Sequence, residues 1–369
     1  MKDLLEAIRA DDRAAARRSI SRWPEFAAKP QVVLEAARFA RAEILELLLD
    51  AGADPNAPWR SYRPIHAVIQ AEPHAERLGS PTAQLDCLER LLAHGVELEL
   101  AGSWLAVRPL LLAAFSGERE LVARLLDAGA KQDLFTDAAL GKRASVEKAL
   151  ARDPELARAR DASTFTALAA AAASRLGKDD AKTAKALLAL ATALLDHGAD
   201  PNAEVRERTH LLPVVYFAIG AGQRDLLELL LARGADPTRA FEASFFRDSR
   251  EWAELALARG AKLDLARHDG KPLLNELVRW GRVEEALWLI EKGVDLRLRG
   301  ADGWTALHQA ASRGNKRLFV ALLAAGADRD AKADHGLSVL DLARVHRRRE
   351  LVALLQESSG ASPRKRTKR

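Results

Sequence analysis

The sequence predicts an all-α protein built as a solenoid of stacked helix-turn-helix units, and three observations carry that prediction. A Gly-Ala-Asp triplet, or a close variant, follows a leucine-rich stretch again and again, with its glycine at 52, 95, 129, 198, 234, 260, 293 and 326. The chain is 48% hydrophobic but only 5% aromatic, a composition suited to helices packing closely on alanine and leucine. Helix-starting and helix-ending residues alternate at matching offsets between the triplets. A unit of this kind cannot bury its apolar face alone, so it must stack on its neighbours, and function is sought on surfaces rather than in a deep pocket.

Within each unit the local chemistry is explicit. Thr305, Thr166 and Ser338 suit N-caps of first helices, their hydroxyls accepting a backbone N–H. Pro64, Pro109, Pro213 and Pro272 lie at or beside the first helical turn, where a missing N–H costs nothing. Gly117, Gly141, Gly281 and Gly314 end first helices, and the triplet glycines end second ones. Ala113-Ala114 and Ala310-Ala311 let first helices approach closely, while Leu47 to Leu49 and Leu229 to Leu231 supply the apolar stripe of the second helices.

The best-formed unit reads Asp302-Gly303-Trp304-Thr305-Ala306-Leu307-His308-Gln309-Ala310-Ala311, then Gly314, then Leu318, Val320, Leu322 and Leu323, then Gly326-Ala327-Asp328. This resembles the ankyrin repeat, with Ala306 in place of the motif's proline. The resemblance implies an ankyrin-repeat solenoid with projecting hairpin fingers over residues 1–357, in about ten to eleven helical hairpins. Residues 1–29 would form the N-terminal cap and 334–357 the C-terminal cap. Fingers are expected at 53–63, 96–108, 156–165, 199–212, 261–271, 294–304 and 327–337. His66 and His308 take the histidine position of the motif, which implies that their rings tie adjacent hairpins together.

Spacing adds detail. The triplet intervals run from 26 to 43 residues once a degenerate unit, whose second helix ends near Asp153-Pro154-Glu155, is allowed for, and they suggest a three-unit block present twice. Long units gain residues at Ala71 to Thr82 and Ser174 to Thr183. Short units at Lys131 to Thr136 and Asp236 to Arg239 pass from Gly-Ala almost directly into the next helix, so two fingers are missing and the concave face should be notched.

Charge and cysteine content bound the function. The chain has 57 Lys and Arg against 52 Asp and Glu, and the difference is supplied by Arg364, Lys365, Arg366, Lys368 and Arg369. The pI of 9.4 therefore belongs to a tail, residues 358–369, expected to be disordered, and not to the solenoid. Cys87 alone excludes a disulfide framework and reads as a buried structural thiol. The start, Met1-Lys2-Asp3, lacks the apolar core of a secretory signal, and no apolar run is long enough for a membrane span. A soluble, cytoplasmic monomer is expected, and the Ala- and Arg-rich usage suggests a bacterial source.

By the resemblance, fingers and exposed first-helix positions line a partner-binding face. The early fingers carry Trp59, Tyr62, Trp104 and Phe165, and the later ones Arg206, Arg208, Arg267, Lys271, Arg297, Arg299, Trp304, Arg329 and Lys332, with Ser312, Arg313 and His346 from the helices. Polarity thus changes along the groove, which suits an acidic segment. Against this, Glu204, Glu207, Asp264, Asp269, Asp295, Asp302, Asp328 and Asp330 share the late fingers and could pair with those cations, and Trp304 could pack on a neighbouring finger.

Nothing points to catalysis. The chain has no phosphate-binding G-x-x-x-x-G-K-[ST] and no G-x-S-x-G. His94 and His197 precede helix-ending glycines, where a charged ring complements the helix dipole, and no metal-ligand spacing accompanies them. The expected function is a non-enzymatic scaffold or inhibitor that binds another protein along the concave groove, with no cofactor and no metal. The alternative is nucleic-acid binding through the late basic fingers and the tail.

Overall fold

Residues 1–71, 82–103, 105–245, 250–264, 270–300 and 302–357 are described by a computed structural model, and the chain divides into two compact units, Met1–Ala235 and Asp236–Arg369. Both are stacks of helix pairs, so the all-α expectation holds.

In the first unit the pairs are α1 (Lys2–Ala10) with α2 (Arg13–Arg22), α3 (Pro30–Arg38) with α4 (Ala42–Asp50), and α5 (Pro64–Ile69) with α6 (Ala83–Ala93). They continue as α7 (Pro109–Ser116) with α8 (Arg119–Asp127), α9 (Leu134–Ala139) with α10 (Arg143–Arg152), and α11 (Ala167–Ala173) with α12 (Ala181–Asp196). The hairpin β1 (Glu204–Glu207) and β2 (His210–Pro213) then leads into α13 (Val214–Ala221), paired with α14 (Arg224–Ala232). First helices pack against first helices from α1 to α13. The second unit repeats the scheme in α15 (Pro237–Ser244) with α16 (Arg250–Ala258), α17 (Leu273–Trp280) with α18 (Val283–Glu291), α19 (Ala306–Arg313) with α20 (Lys316–Ala324), and α21 (Val339–Val345) with α22 (Arg349–Glu357). There α17, α19 and α21 pack in one row and α18, α20 and α22 in another.

The core is leucine against alanine. All seven residues of α11 are buried, and this near-pure alanine helix is thin enough to touch α9 on one side and α13 on the other. Second helices contribute Leu45, Leu48, Leu88, Leu91, Leu227 and Leu230, all fully buried. Cys87 on α6 is buried among them, and burial pushes its thiol up to about 12, so it is an inert core group.

The expected caps are present. Thr166 accepts the Ala169 N–H at 3.1 Å, and Ser338 accepts that of Asp341 at 3.1 Å. Pro64 and Pro109 begin their helices, whereas Pro213 closes β2 and caps α13 from outside.

Both short units have lost their finger, and each has a local reason. Asp133 accepts the N–H groups of Phe135 and Thr136 at 3.1 and 2.9 Å, and Asp236 accepts that of Thr238 at 2.8 Å. An aspartate immediately after the second-helix turn thus starts a new helix where other units send the chain outward. Helix α10 ends at Arg152 before a 3-10 turn over Pro154–Arg158, as the degenerate unit requires. Of the two insertions, 174–180 forms a loop, and α12 runs to 16 residues against nine in α14, about two extra turns. Most of the other, residues 72–81, lies outside the described residues.

Neither α5 nor α11, the first helices of these long units, ends on a glycine. A glutamine amide takes over in both. Gln84 Nε2 reaches the carbonyls of Val68 and Ala71 at 2.9 and 3.1 Å, and Gln223 Nε2 reaches those of Ala171, Ala172 and Ser174 at 2.9, 3.1 and 2.7 Å. Carbonyls that a left-handed glycine turn would satisfy are met by a side chain from a second helix or from the loop that leads into one.

Candidate partner-binding surface

The fingers are short antiparallel turns. Backbone bridges close them at Trp59 with Tyr62, Gly102 with Val107, Arg160 with Thr166 and Lys332 with Ser338, and the longest is the β1–β2 hairpin. His66 on α5 holds two fingers together: its Nε2 donates to the Val107 carbonyl at 2.9 Å, and a methyl group on Gly102 would lie 2.6 Å from its Nδ1. Burial, with Arg63 nearby, lowers His66 to about 4 despite the favourable Val107 carbonyl, so the ring is neutral. His308 behaves differently. Its Nδ1 accepts the Thr305 N–H at 3.2 Å and lies 2.9 Å from the Thr305 hydroxyl, while its buried Nε2 has no partner in hydrogen-bond geometry. Burial lowers its pKa, opposed by the carbonyls of Leu337 and Ala331. It secures its own helix cap, and the carbonyls of Leu337 and Ala331 on the next finger lie against the same ring.

Loss of the finger at 131–136 does not leave a notch. The flanking fingers close over it, with the Ser163 hydroxyl donating to the Ala106 carbonyl across 57 residues of sequence. Thr164 Oγ1 accepts the Arg206 N–H at 2.7 Å, and Arg160 donates to the Glu204 carbonyl, so β1–β2 joins the same cluster. Arg108 links the finger before the gap to Asp133, the cap of the fingerless unit.

This closure makes a cavity of about 310 Å³ lined by Pro58, Arg60, Ser61 and Arg63 of one finger, Ala101 to Ser103 with Leu105 and Ala106 of the next, and Arg206 and Arg208 of the hairpin. It holds four arginines and no carboxylate. Arg63 donates to the carbonyls of Ala101 and Asn56 at 3.1 and 2.6 Å, both neutral acceptors. Arg208 donates to Ser61 Oγ at 3.4 Å and has Glu207 at 3.7 Å. No side-chain partner is seen for Arg60 or Arg206 among the described residues. Guanidinium groups sharing one recess repel one another, and an anion relieves that repulsion. The exposed Trp59 ring stands beside Arg60, and Tyr62 is half-buried.

Other expected surface residues fare unequally. Phe165 corrects the sequence reading: it is fully buried, with ring centroids 5.1 and 5.2 Å from Phe115 and Phe217, so it belongs to the core and touches no partner. Trp104, Arg267 and the tail cations Arg364, Lys365, Arg366, Lys368 and Arg369 lie outside the described residues.

The late cations are mostly occupied. Arg297 chelates Asp295 at 3.0 and 3.1 Å and holds that carboxyl below its usual range. Arg299 donates to the Lys332 carbonyl at 2.8 Å, joining two fingers, and Arg329 donates to the Leu355 carbonyl. Trp304 is half-buried against His308, with ring centroids 6.4 Å apart. Lys271 is half-buried and Ser312 offers its carbonyl to Arg348 at 3.1 Å. Arg313, Lys332 and His346 are exposed. The expected basic residues Arg206 and Arg208 thus meet the early, aromatic finger in one cluster. Arg60 and Arg63, which the sequence reading passed over, complete it; their flanking Trp59 and Tyr62 were the available signal.

Two further clusters of charged side chains lie in the first unit. Arg13, Arg17, Arg18 and Arg22 line one face of α2, where Arg13 pairs with Glu43 at 2.7 Å. Glu46, Asp50 and His94 converge from α4 and the end of α6. Their ligand atoms are engaged already: Glu46 with Arg90 at 3.1 Å, and His94 with Asp50 at 3.4 Å and with the Arg90 carbonyl at 2.9 Å. That carbonyl, outweighing partial burial, raises His94, as its helix-terminal position suggested. No helix among the described residues is long and apolar enough to cross a membrane.

Residues 274–323 match a family model described as ankyrin repeats in many copies. The chain is similar to protein phosphatase 1 regulatory subunit 27 of Mus musculus, 39% identical over 79 residues, which is 21% of this chain and 51% of that protein. It is also similar to the E3 ubiquitin-protein ligase KEG of Arabidopsis thaliana, 31% identical over 147 residues, 39% of this chain and 9% of that one. The chain thus spans about half, or far less, of the length of these relatives. The solved human ASB11 ankyrin repeat domain covers 60% of this chain and 98% of its own length, at 22% identity and a TM-score of 0.44.

Proposed function

Taking as premise that this is an ankyrin-repeat protein, we propose that it is a non-enzymatic, cytoplasmic scaffold or inhibitor that grips a partner protein along its fingers. The observation that supports this reading is the acid-free cavity of four arginines where three fingers meet, with the exposed Trp59 at its edge. Aromatic and arginine side chains are the groups that concentrate binding energy in protein interfaces. The mouse relative is named as a regulatory subunit, a protein that works through another protein, and the same mode is proposed here without its partner. The ligase name does not carry over, since the match spans 9% of that protein.

Nucleic-acid binding has less behind it. It drew on the late finger cations, of which Arg297, Arg299 and Arg329 are spent on internal contacts, and on a tail that lies outside the described residues.

A photo-crosslinking residue in place of Trp59, with one in place of exposed Trp280 as control, tests the proposal in cells of the source organism. A single recurring protein captured from position 59 alone supports it. Equal capture from both positions, or none from 59, overturns it.

A further inference from the structure

Resting on the partner-binding reading, we infer that the cavity formed by Arg60, Arg63, Arg206 and Arg208 receives a phosphorylated side chain of the partner protein. Four guanidinium groups line one recess and only Arg208 has a carboxylate near it, Glu207 at 3.7 Å, so the recess calls for more negative charge than one further carboxylate brings. A phosphoryl dianion supplies two charges and three acceptor oxygens, and the planar fork of arginine pairs with such oxygens two at a time. Ser61 and Ser103 add hydroxyls to the same walls, and Pro58, Leu105 and Ala106 give it an apolar side for the rest of the residue.

A second, independent observation points the same way. Four non-glycine lining residues adopt left-handed backbone: Arg60 at φ 56°, Ser103 at 66°, Ala106 at 53° and Arg208 at 47°. Glycine or asparagine is the cheap choice at such turns, and arginine is not. Two arginines thus stand at left-handed finger positions where other fingers carry glycine, as at Gly270 and Gly303, and Arg60 has no side-chain partner among the described residues. Arg60, Ser61, Arg206 and Arg208 of its lining are exposed, so a phosphorylated loop can reach it. A nucleic-acid backbone would need positive charge continuing beyond one recess, and the formal charge of residues 1–363 is balanced.

The test uses the full chain and three probes, with arginine Nε–Hε resonances as the readout: O-phosphoserine, acetate at equal ionic strength, and a single-stranded oligothymidylate. Phosphoserine should shift the signals of residues 60, 63, 206 and 208 together and saturably, and acetate should not. The double variant R60G/R206Q should keep the thermal midpoint and weaken phosphoserine binding by about tenfold or more. Phosphoserine behaving like acetate, or the double variant binding as well as the parent, overturns the inference. Oligothymidylate saturating the same signals at lower concentration than phosphoserine overturns it in favour of nucleic acid. If phosphoserine fails while crosslinking from position 59 still captures the same protein before and after phosphatase treatment, the partner-binding reading stands and only the phosphoryl specificity falls.

Discussion

The Arg208 guanidinium donates to the Ser61 hydroxyl at 3.4 Å, although 147 residues separate the two in sequence. The contact exists because a finger between them is missing. Asp133 turns the chain straight into α9, the fingers on either side meet through Ser163 and Ala106, and the β1–β2 hairpin is brought over toward the finger at 58–63. The contact itself is long and exposed, so Ser61→Ala should change the free energy of unfolding by less than about 0.5 kcal/mol. Urea denaturation checks this, and a larger loss would mean the hairpin depends on it.

Arg63 has the opposite character. It bonds two carbonyls on two adjacent segments, and Arg63→Ala should destabilise the first unit by about 1–3 kcal/mol. A drop in the denaturation midpoint, absent for Arg60→Ala, is the expected result.

His66 gives a pH dependence of defined sign. Its folded pKa, about 4, lies below the ordinary 6.5, so the unfolded chain takes up a proton first as pH falls. The stabilisation is fully present above 6.5 and is lost progressively toward 4, by up to roughly 3 kcal/mol. His308 is lowered too and adds in the same direction. Unfolding free energies measured from pH 7.5 to 4 should fall more steeply in the parent than in His66→Gln, and parallel curves would refute the assignment.

Phe165→Ala should cost about 3–5 kcal/mol, because it opens a cavity between Phe115 and Phe217. The loss should appear in calorimetry, with partner capture from position 59 retained at temperatures where the variant is folded.

Gln223→Ala removes the group that meets three carbonyls at the end of α11. A cost of about 1–3 kcal/mol is expected, with faster amide exchange confined to the end of α11 and the loop after it. Uniform protection there would show that water replaces the amide without penalty.

The fold was legible because its signals are local. Thr166 and Ser338 cap helices as a hydroxyl at that offset must, Pro64 and Pro109 start them, and the Leu-Leu and Ala-Ala pairs fall on the faces that helical periodicity assigns. Loss of the fingers at 131–136 and 236–239 could be read from spacing alone. The site was only half legible. Arg206 and Arg208 were found from charge on a finger, but Arg60 and Arg63 gain meaning only opposite them, and Phe165 was misplaced since a finger residue in sequence can point into the core.

By itself, then, the order of residues determined helix pairs, their caps and which units lack a finger, because each depends on neighbours a few positions apart. Tertiary structure alone decided that the gap closes, that Arg297, Arg299 and Arg329 are taken up by internal acceptors, and that four arginines share one recess without an acid. Those outcomes depend on distances between residues tens to more than a hundred positions apart, which periodicity along the chain does not encode.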